Sequence, residues 1–275
     1  MFEEPYRWME AVSTRHSYVQ EKLKKGQPVL SVPYDDGVLI MGFAPQPGKI
    51  FEIYDRIALG GVGHPADVEK LRMTLLEMAH LEGFNRSAQD VTLARLLQFG
   101  VAPALKQNFE EIQRAPYILR LLLVELEREG NPNFFRINYD GHWETFKKGT
   151  VIAGNEKIMD EIQKEIESLP FATFSLNKAL EETCRLWIES KKQEEEEGIP
   201  QTLKEVFDQW YLEGAVLSKK VERRAVYRAL TQEEIDLLKS SVVWSPQNNE
   251  VEQPVKKRSV PHGNEQSFKK RRKKR

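Results

Sequence analysis

The side chains that could act as nucleophiles, metal ligands or anion receptors in this chain of 275 residues are mostly dispersed. The five histidines, His16, His64, His80, His142 and His262, show no metal-ligand spacing. The single cysteine, Cys184, falls in the apolar register of a helical stretch, the setting of a buried structural thiol. Gly60-Gly61-x-Gly63 precedes a helical segment as a phosphate loop would, but it lacks the Gly-Lys-Ser/Thr ending. Small residues where a strand packs beneath a helix account for it better. Lys49, taken by residue type alone, reads as a solvated lysine at the start of a strand. The one dense cluster is Lys269-Lys270-Arg271-Arg272-Lys273-Lys274-Arg275, a run that could hold nucleic acid or another polyanion. The blander reading, a solvated tail touching acidic surfaces loosely, is preferred, and no metal or cofactor is expected.

That cluster also explains a misleading sum. The chain carries 41 Lys+Arg and 42 Asp+Glu, a formal net charge of −1. Residues 255–275 hold ten basic side chains and one acid, which leaves 31 basic against 41 acidic over 1–254, a net charge of −10. An acidic body with a basic tail needs two separate arguments. With 40% hydrophobic residues the body can bury a core, which excludes wholesale disorder. One cysteine excludes a disulfide framework or a cysteine-rich zinc module and points to a reducing compartment. The greasiest stretch, Ile118 to Leu126, contains Arg120 and Glu125 and falls far short of the ~18 apolar residues of a membrane span. The start, Met1-Phe2-Glu3-Glu4, is acidic where a signal peptide is basic, so a cytoplasmic chain without a membrane partner is expected.

The elements that must position these residues follow from periodicity. Pro5 argues against a continuous helix over the first twelve residues, and a short helix is expected from about Val12 to Lys25, stopped by Gly26. Strands are expected at Pro28–Tyr34 and Val38–Phe43 around Asp35-Asp36-Gly37, then at Lys49–Ile53 and Arg56–Val62. Pro65 opens a helix with Val68, Leu71, Leu75 and Met78 on one face. Ser87 and Asp90 read as a capping box for a second helix with a stripe from Val91 to Ile112, which Pro103 should bend or interrupt. Strands at Tyr117–Leu126, Phe134–Tyr139, His142–Phe146 and Thr150–Ala153 precede helices at Lys157–Ser168 and, after Ser175, Leu176–Lys192. Glu194 to Glu197 reads as a solvated run. Strands at Trp210–Leu217 and Ala225–Leu230 lead to a helix capped by Thr231-x-x-Glu234, and 245–275 reads as disordered. Strand blocks and helix pairs alternate as groups. That order predicts two antiparallel sheets stacked face to face with helices on both outer faces.

Several strings resemble one family. Lys49-Ile50-Phe51-Glu52-Ile53-Tyr54-Asp55-Arg56-Ile57-Ala58 is the most specific, and Tyr34-Asp35-Asp36-Gly37-Val38-Leu39 stands beside it. Lys24-Lys25-Gly26, Ser87-x-x-Asp90-Val91-Thr92, Leu212-Glu213-Gly214-Ala215-Val216-Leu217 and Arg223-Arg224-Ala225 follow in the same order and spacing. Together they resemble the 20S proteasome subunits, and among them the bacterial, actinobacterial-like α-type subunits, over roughly residues 13–240.

The resemblance implies an α+β fold, a four-layer α-β-β-α sandwich of the N-terminal-nucleophile hydrolase type. It implies a homo-oligomeric seven-membered ring that stacks on proteasome β subunits and docks an AAA-type ATPase activator. Family members that cut peptides free a threonine so that its α-amine activates its hydroxyl. The matching position here reads Gly26-Gln27-Pro28, and the only Gly-Thr, Gly149-Thr150, lies inside a strand block. A non-catalytic subunit is therefore expected, with activity residing in the β subunits. By the same resemblance Lys49 would pair with an activator's C-terminal carboxylate, Gly26 would let a helix end approach that pocket, and His64 would stand in its wall. Residues 1–12 would be the gate segment, with Pro5, Tyr6 and Trp8 ordering it in place of the Tyr-Asp-Arg string of archaeal and eukaryotic α subunits. The division expected is a gate over 1–12, a domain over 13–240 and a tail over 241–275. Two other classes remain as alternatives: a self-contained N-terminal-nucleophile peptidase, and a nucleic-acid-binding protein acting through the tail.

Overall fold

The computed structural model describes residues 4–46, 48–192, 202–219 and 226–243. Its first strands, β1 (Val29–Tyr34) and β2 (Gly37–Ala44), are buried at every position. Strands without a wet face must lie between two layers. β3 (Ile50–Tyr54) and β4 (Ile57–Gly63) form the next hairpin, and β5 (Leu119–Leu126) is again buried throughout. β6 (Pro132–Asn138), β7 (Trp143–Phe146), β8 (Thr150–Ile152), β9 (Tyr211–Ser218) and β10 (Tyr227–Ala229) complete the strands. They form two five-stranded sheets, β10-β9-β2-β1-β8 and β3-β4-β5-β6-β7, in which every pairing is antiparallel.

Helices flank both sheets. α1 (Glu4–Leu23) precedes β1. α2 (Pro65–Asn85), α3 (Leu93–Leu96), a π-helical turn over Leu97–Val101 and α4 (Ala102–Glu110) cover one sheet. Their Val68, Leu71, Leu75, Leu97 and Leu105 pack on Leu59, Leu119, Leu121 and Leu123. α5 (Glu156–Ser168) and α6 (Leu176–Lys192) cover the other sheet, where Trp187 meets Phe43 edge-on at 4.8 Å and donates to Pro28 O at 3.0 Å. α7 (Leu203–Gln209) and α8 (Gln232–Val243) pack beside α6. The stacked sheets and flanking helices are the predicted layers.

The departures have local causes. α1 starts at Glu4, well before Val12, because Pro5 falls in its first turn, where a helix has no N–H bond to lose. The Ser87 and Asp90 pair makes a turn of its own, with Oγ to Oδ2 at 3.1 Å, and the helix begins only after Thr92. Pro103 does interrupt that helix, at the π turn, and Ile112 lies past its end with 47% of its surface exposed. α7 has only seven residues, too few for a period to be read, although Thr202 caps it by accepting from Glu205 N at 3.3 Å. The Thr231 and Glu234 box forms reciprocally, at 3.2 and 2.8 Å. Arg223 to Ala225, Glu194 to Glu197 and the tail lie outside the described residues.

The two charges that interrupt the apolar run of β5 each fasten a neighbouring layer. Glu125 accepts from Leu93 N at 3.1 Å, and burial pushes its carboxyl up to about 7. Arg120, fully buried, donates to Ala153 O at 2.8 Å and Gly154 O at 3.2 Å and pairs with Glu156 at 2.6 Å. Arg120→Met would strand both carbonyls without donors. A loss of about 2–4 kcal/mol is expected. A thermal melt followed by circular dichroism should show it as a drop of roughly 5–15 °C; an unchanged midpoint would mean the clamp is dispensable.

Candidate functional site

At one end of the sandwich, α1 ends, β1 and β3 begin and β4 finishes. Gly26 sits at the crossing. Its N–H reaches Leu23 O at 2.6 Å, and its carbonyl accepts from Gly154 N at 3.2 Å. A side chain there would place Cβ 2.3 Å from Val62 Cγ1 and 2.9 Å from Leu23 O, so the helix end can lie this close only with glycine. Gly154 is held by the same crowding, its Cβ position being 2.1 Å from Leu23 O.

Lys49 stands next to this crossing. Its side chain is partly buried, and Nζ donates to Gln27 O at 3.0 Å, one residue from Gly26. The loop that carries it is held by Glu213 of β9, whose Oε2 accepts from Gly48 N at 3.0 Å and Lys49 N at 2.8 Å. Oε1 of the same carboxylate accepts from Ile50 N at 3.2 Å. Burial, and then the charge of Lys191 at the end of α6, push the Lys49 amine down to about 7, while Glu213 works in the opposite direction. Near neutral pH the ammonium is thus only partly populated. An arriving anion would favour it.

His64 follows β4 as the N-cap residue of α2, its N–H on Ile118 O at 2.7 Å and its side chain exposed. Gly61 N bonds Lys49 O at 2.9 Å, so His64 lies three residues past the strand position facing Lys49. The fold therefore brings Lys49 to Gln27, the residue next to Gly26. Among the described residues no hydrogen bond joins the His64 imidazole to them.

Of the expected gate residues, Trp8 lies on α1 with 45% of its surface exposed. Pro5 and Tyr6 belong to the first turn of that helix, and their side chains lie outside the described residues, as do Lys269 to Arg275.

Of the residues weighed as nucleophiles, Thr150 and Cys184 are held in the core. Gln27 and Pro28 lead into β1, and Thr150 is fully buried in β8 with its hydroxyl donating to Gln163 at 2.9 Å. Cys184 is buried, and burial drives its thiol pKa upward. Gly61 makes room for Val68 of α2, 2.5 Å from its Cβ position, as strand-under-helix packing predicts, whereas Gly60 makes room for Val29 of the facing sheet at 2.6 Å. At the far end of β3, Arg56 donates to Leu126 O and Glu127 O at 3.3 and 3.1 Å, so that part of the motif braces turns. Among the described residues no group of three or more His, Cys, Asp and Glu is placed to hold a metal ion, and no helix is long and apolar enough to cross a membrane.

Glu213, Lys191 and the Gln27 carbonyl escaped the sequence reading. The available signals were an acid inside an otherwise apolar strand and a lysine at the end of an apolar helical stripe.

These layers form an α+β sandwich of the N-terminal-nucleophile hydrolase type, with a glutamine where a freed nucleophile would stand. The family model described as proteasome subunit matches residues 23–185, from the end of α1 into α6. The chain belongs to the proteasome subunit family, and within it to the bacterial, actinobacterial-like α type. It is 28% identical over 255 residues to the proteasome subunit alpha of Mycolicibacterium vanbaalenii, covering 91% of this chain and 95% of that one. It is 28% identical over 231 residues to that of Acidothermus cellulolyticus, covering 82% and 92%. A shorter match, to the proteasome subunit alpha of a Nocardioides species, reaches 32% over 130 residues, covering 46% and 51%.

Gly26→Ala tests the crossing. The added methyl must displace Val62 or the end of α1, and a loss of about 1–3 kcal/mol is expected in chemical denaturation. No loss would mean that the helix end can retreat freely.

Proposed function

We propose that this chain is a non-catalytic α-type subunit of a proteasome core particle in the cytoplasm. Seven copies would form an outer ring on a ring of catalytic β subunits and control entry to the chamber where proteins are degraded. Lys49 would receive the C-terminal carboxylate of an AAA-type ATPase activator, with Gly26 and its neighbours shaping the approach and His64 at the rim. The observation that carries this reading is the Lys49 amine, tethered to Gln27 O one residue from the Gly26 crossing. A carboxylate entering a partly dry site needs such a partner. The similarity to proteins named proteasome subunit alpha supports the assembly.

The first turns of α1, including Trp8, would narrow the ring's entrance. A self-contained peptidase would instead require processing to a new N-terminal Thr, Ser or Cys, which the intact mass of the purified protein would reveal. Action through the basic tail would show as a salt-dependent gel shift that disappears on deleting 255–275.

Lys49→Ala should abolish activator-stimulated degradation while leaving ring assembly, read by sizing, intact; unchanged stimulation would refute the docking role. The pH dependence has a fixed sign. The docking form is the ammonium, whose free pKa is depressed to about 7, so affinity should be flat below that pH. Above it, affinity should fall by up to about tenfold per pH unit, and level off only past the higher pKa that the amine has beside the bound carboxylate. Deleting residues 1–12 should raise unstimulated peptide hydrolysis by the assembled particle, and an unchanged rate would count against a gate there.

A further inference from the structure

Glu213 is a single carboxylate that accepts three consecutive backbone N–H groups, those of Gly48, Lys49 and Ile50. Such a run of amides is the kind of concavity that binds a free anion. Here it is already filled from within the chain. Glu213 comes from β9, paired with β2 in one sheet, whereas the amides lead into β3, which among the described residues ends the other sheet and pairs with β4. We propose that Glu213 is the positioning residue of the Lys49 site, fixing the loop across the two sheets and setting a negative charge beside the Lys49 side chain. This rests on the docking reading only for its biological use.

Two consequences follow from the geometry. The backbone donors nearest Lys49 are spent on Glu213, so an incoming carboxylate is left with the ammonium as its main partner there. Glu213 also places a negative charge that favours the Lys49 ammonium, against burial and against Lys191 from α6. Around Glu213 itself stand Tyr227 on β10, pushed up to about 12 by burial and then by Glu52 and Glu213, and Glu52 on β3. Without the Glu213 charge, the Lys49 amine would lose its proton at lower pH. The loop would also present unsatisfied amides at an edge strand.

The test uses the full chain labelled with 13Cε-lysine, the Lys49 resonance being assigned by its loss in Lys49→Arg. Glu213→Gln keeps the shape, but its amide nitrogen cannot accept, so at least one of the three N–H groups is released. The titration midpoint of Lys49 should fall by roughly one pH unit, and hydrogen exchange at Gly48, Lys49 or Ile50 should quicken about tenfold or more. Glu213→Asp keeps the charge but shortens the reach. It should hold the midpoint near wild type while the same amides exchange faster. If Glu213→Gln leaves both midpoint and exchange unchanged, the proposal is overturned. If that variant does not fold, unchanged exchange in Glu213→Asp overturns it equally. Neither readout involves an activator, so a Lys49→Ala protein that still docks would sink the docking role and leave the Glu213 assignment standing.

Discussion

Arg120 has no exposed surface, and the site depends on what its guanidinium joins. It leaves β5 in one sheet, binds the carbonyls that follow β8 in the other, and pairs with Glu156 at the start of α5. Glu156 in turn accepts from Gln20 of α1 at 3.2 Å. A buried cation is costly unless it is paired, so the acceptors that converge on its two terminal nitrogens set its position, while Nε has no partner among the described residues. That convergence pins Gly154 against the end of α1, and Gly154 against Gly26 sets where Gln27 presents its carbonyl to Lys49. α1 is seated a second time by Arg15, which donates to Asn108 O, Ile112 O and Arg114 O at 3.1, 3.3 and 2.7 Å.

The electrostatics of Lys49 come from two opposed effects of the same packing. Bringing α6 and the end of α1 together removes water and sets Lys191 nearby, and both disfavour the ammonium. Bringing β9 across to β3 supplies Glu213, which favours it and holds the loop as well. A lysine balanced in this way gains most from a partner that carries its own negative charge.

The layered fold was readable because its signal is repeated many times. Three strands with no polar face and helical stripes separated by Gly and Pro leave few arrangements that bury everything. The misreadings fall where a single residue has two meanings. Pro5 breaks a helix interior but opens a first turn, and Ser87 can cap a helix or close a turn of its own. Arg120 and Glu125 were legible only as breaks in an apolar run, because their partners, Gly154, Glu156 and Leu93, lie on other elements.

By itself the sequence determined the order of strand blocks and helix pairs, the lack of a nucleophile before the first strand, and the opposite charges of body and tail. Each is a local or summed property that needs no knowledge of neighbours. Only the tertiary structure decided which residues make the site. Lys49, Gln27, Lys191 and Glu213 come from four places in the chain, spanning positions 27 to 213. A lysine's proton affinity and a loop's hydrogen bonds depend on distances of a few ångströms, and those exist only after the two sheets have stacked.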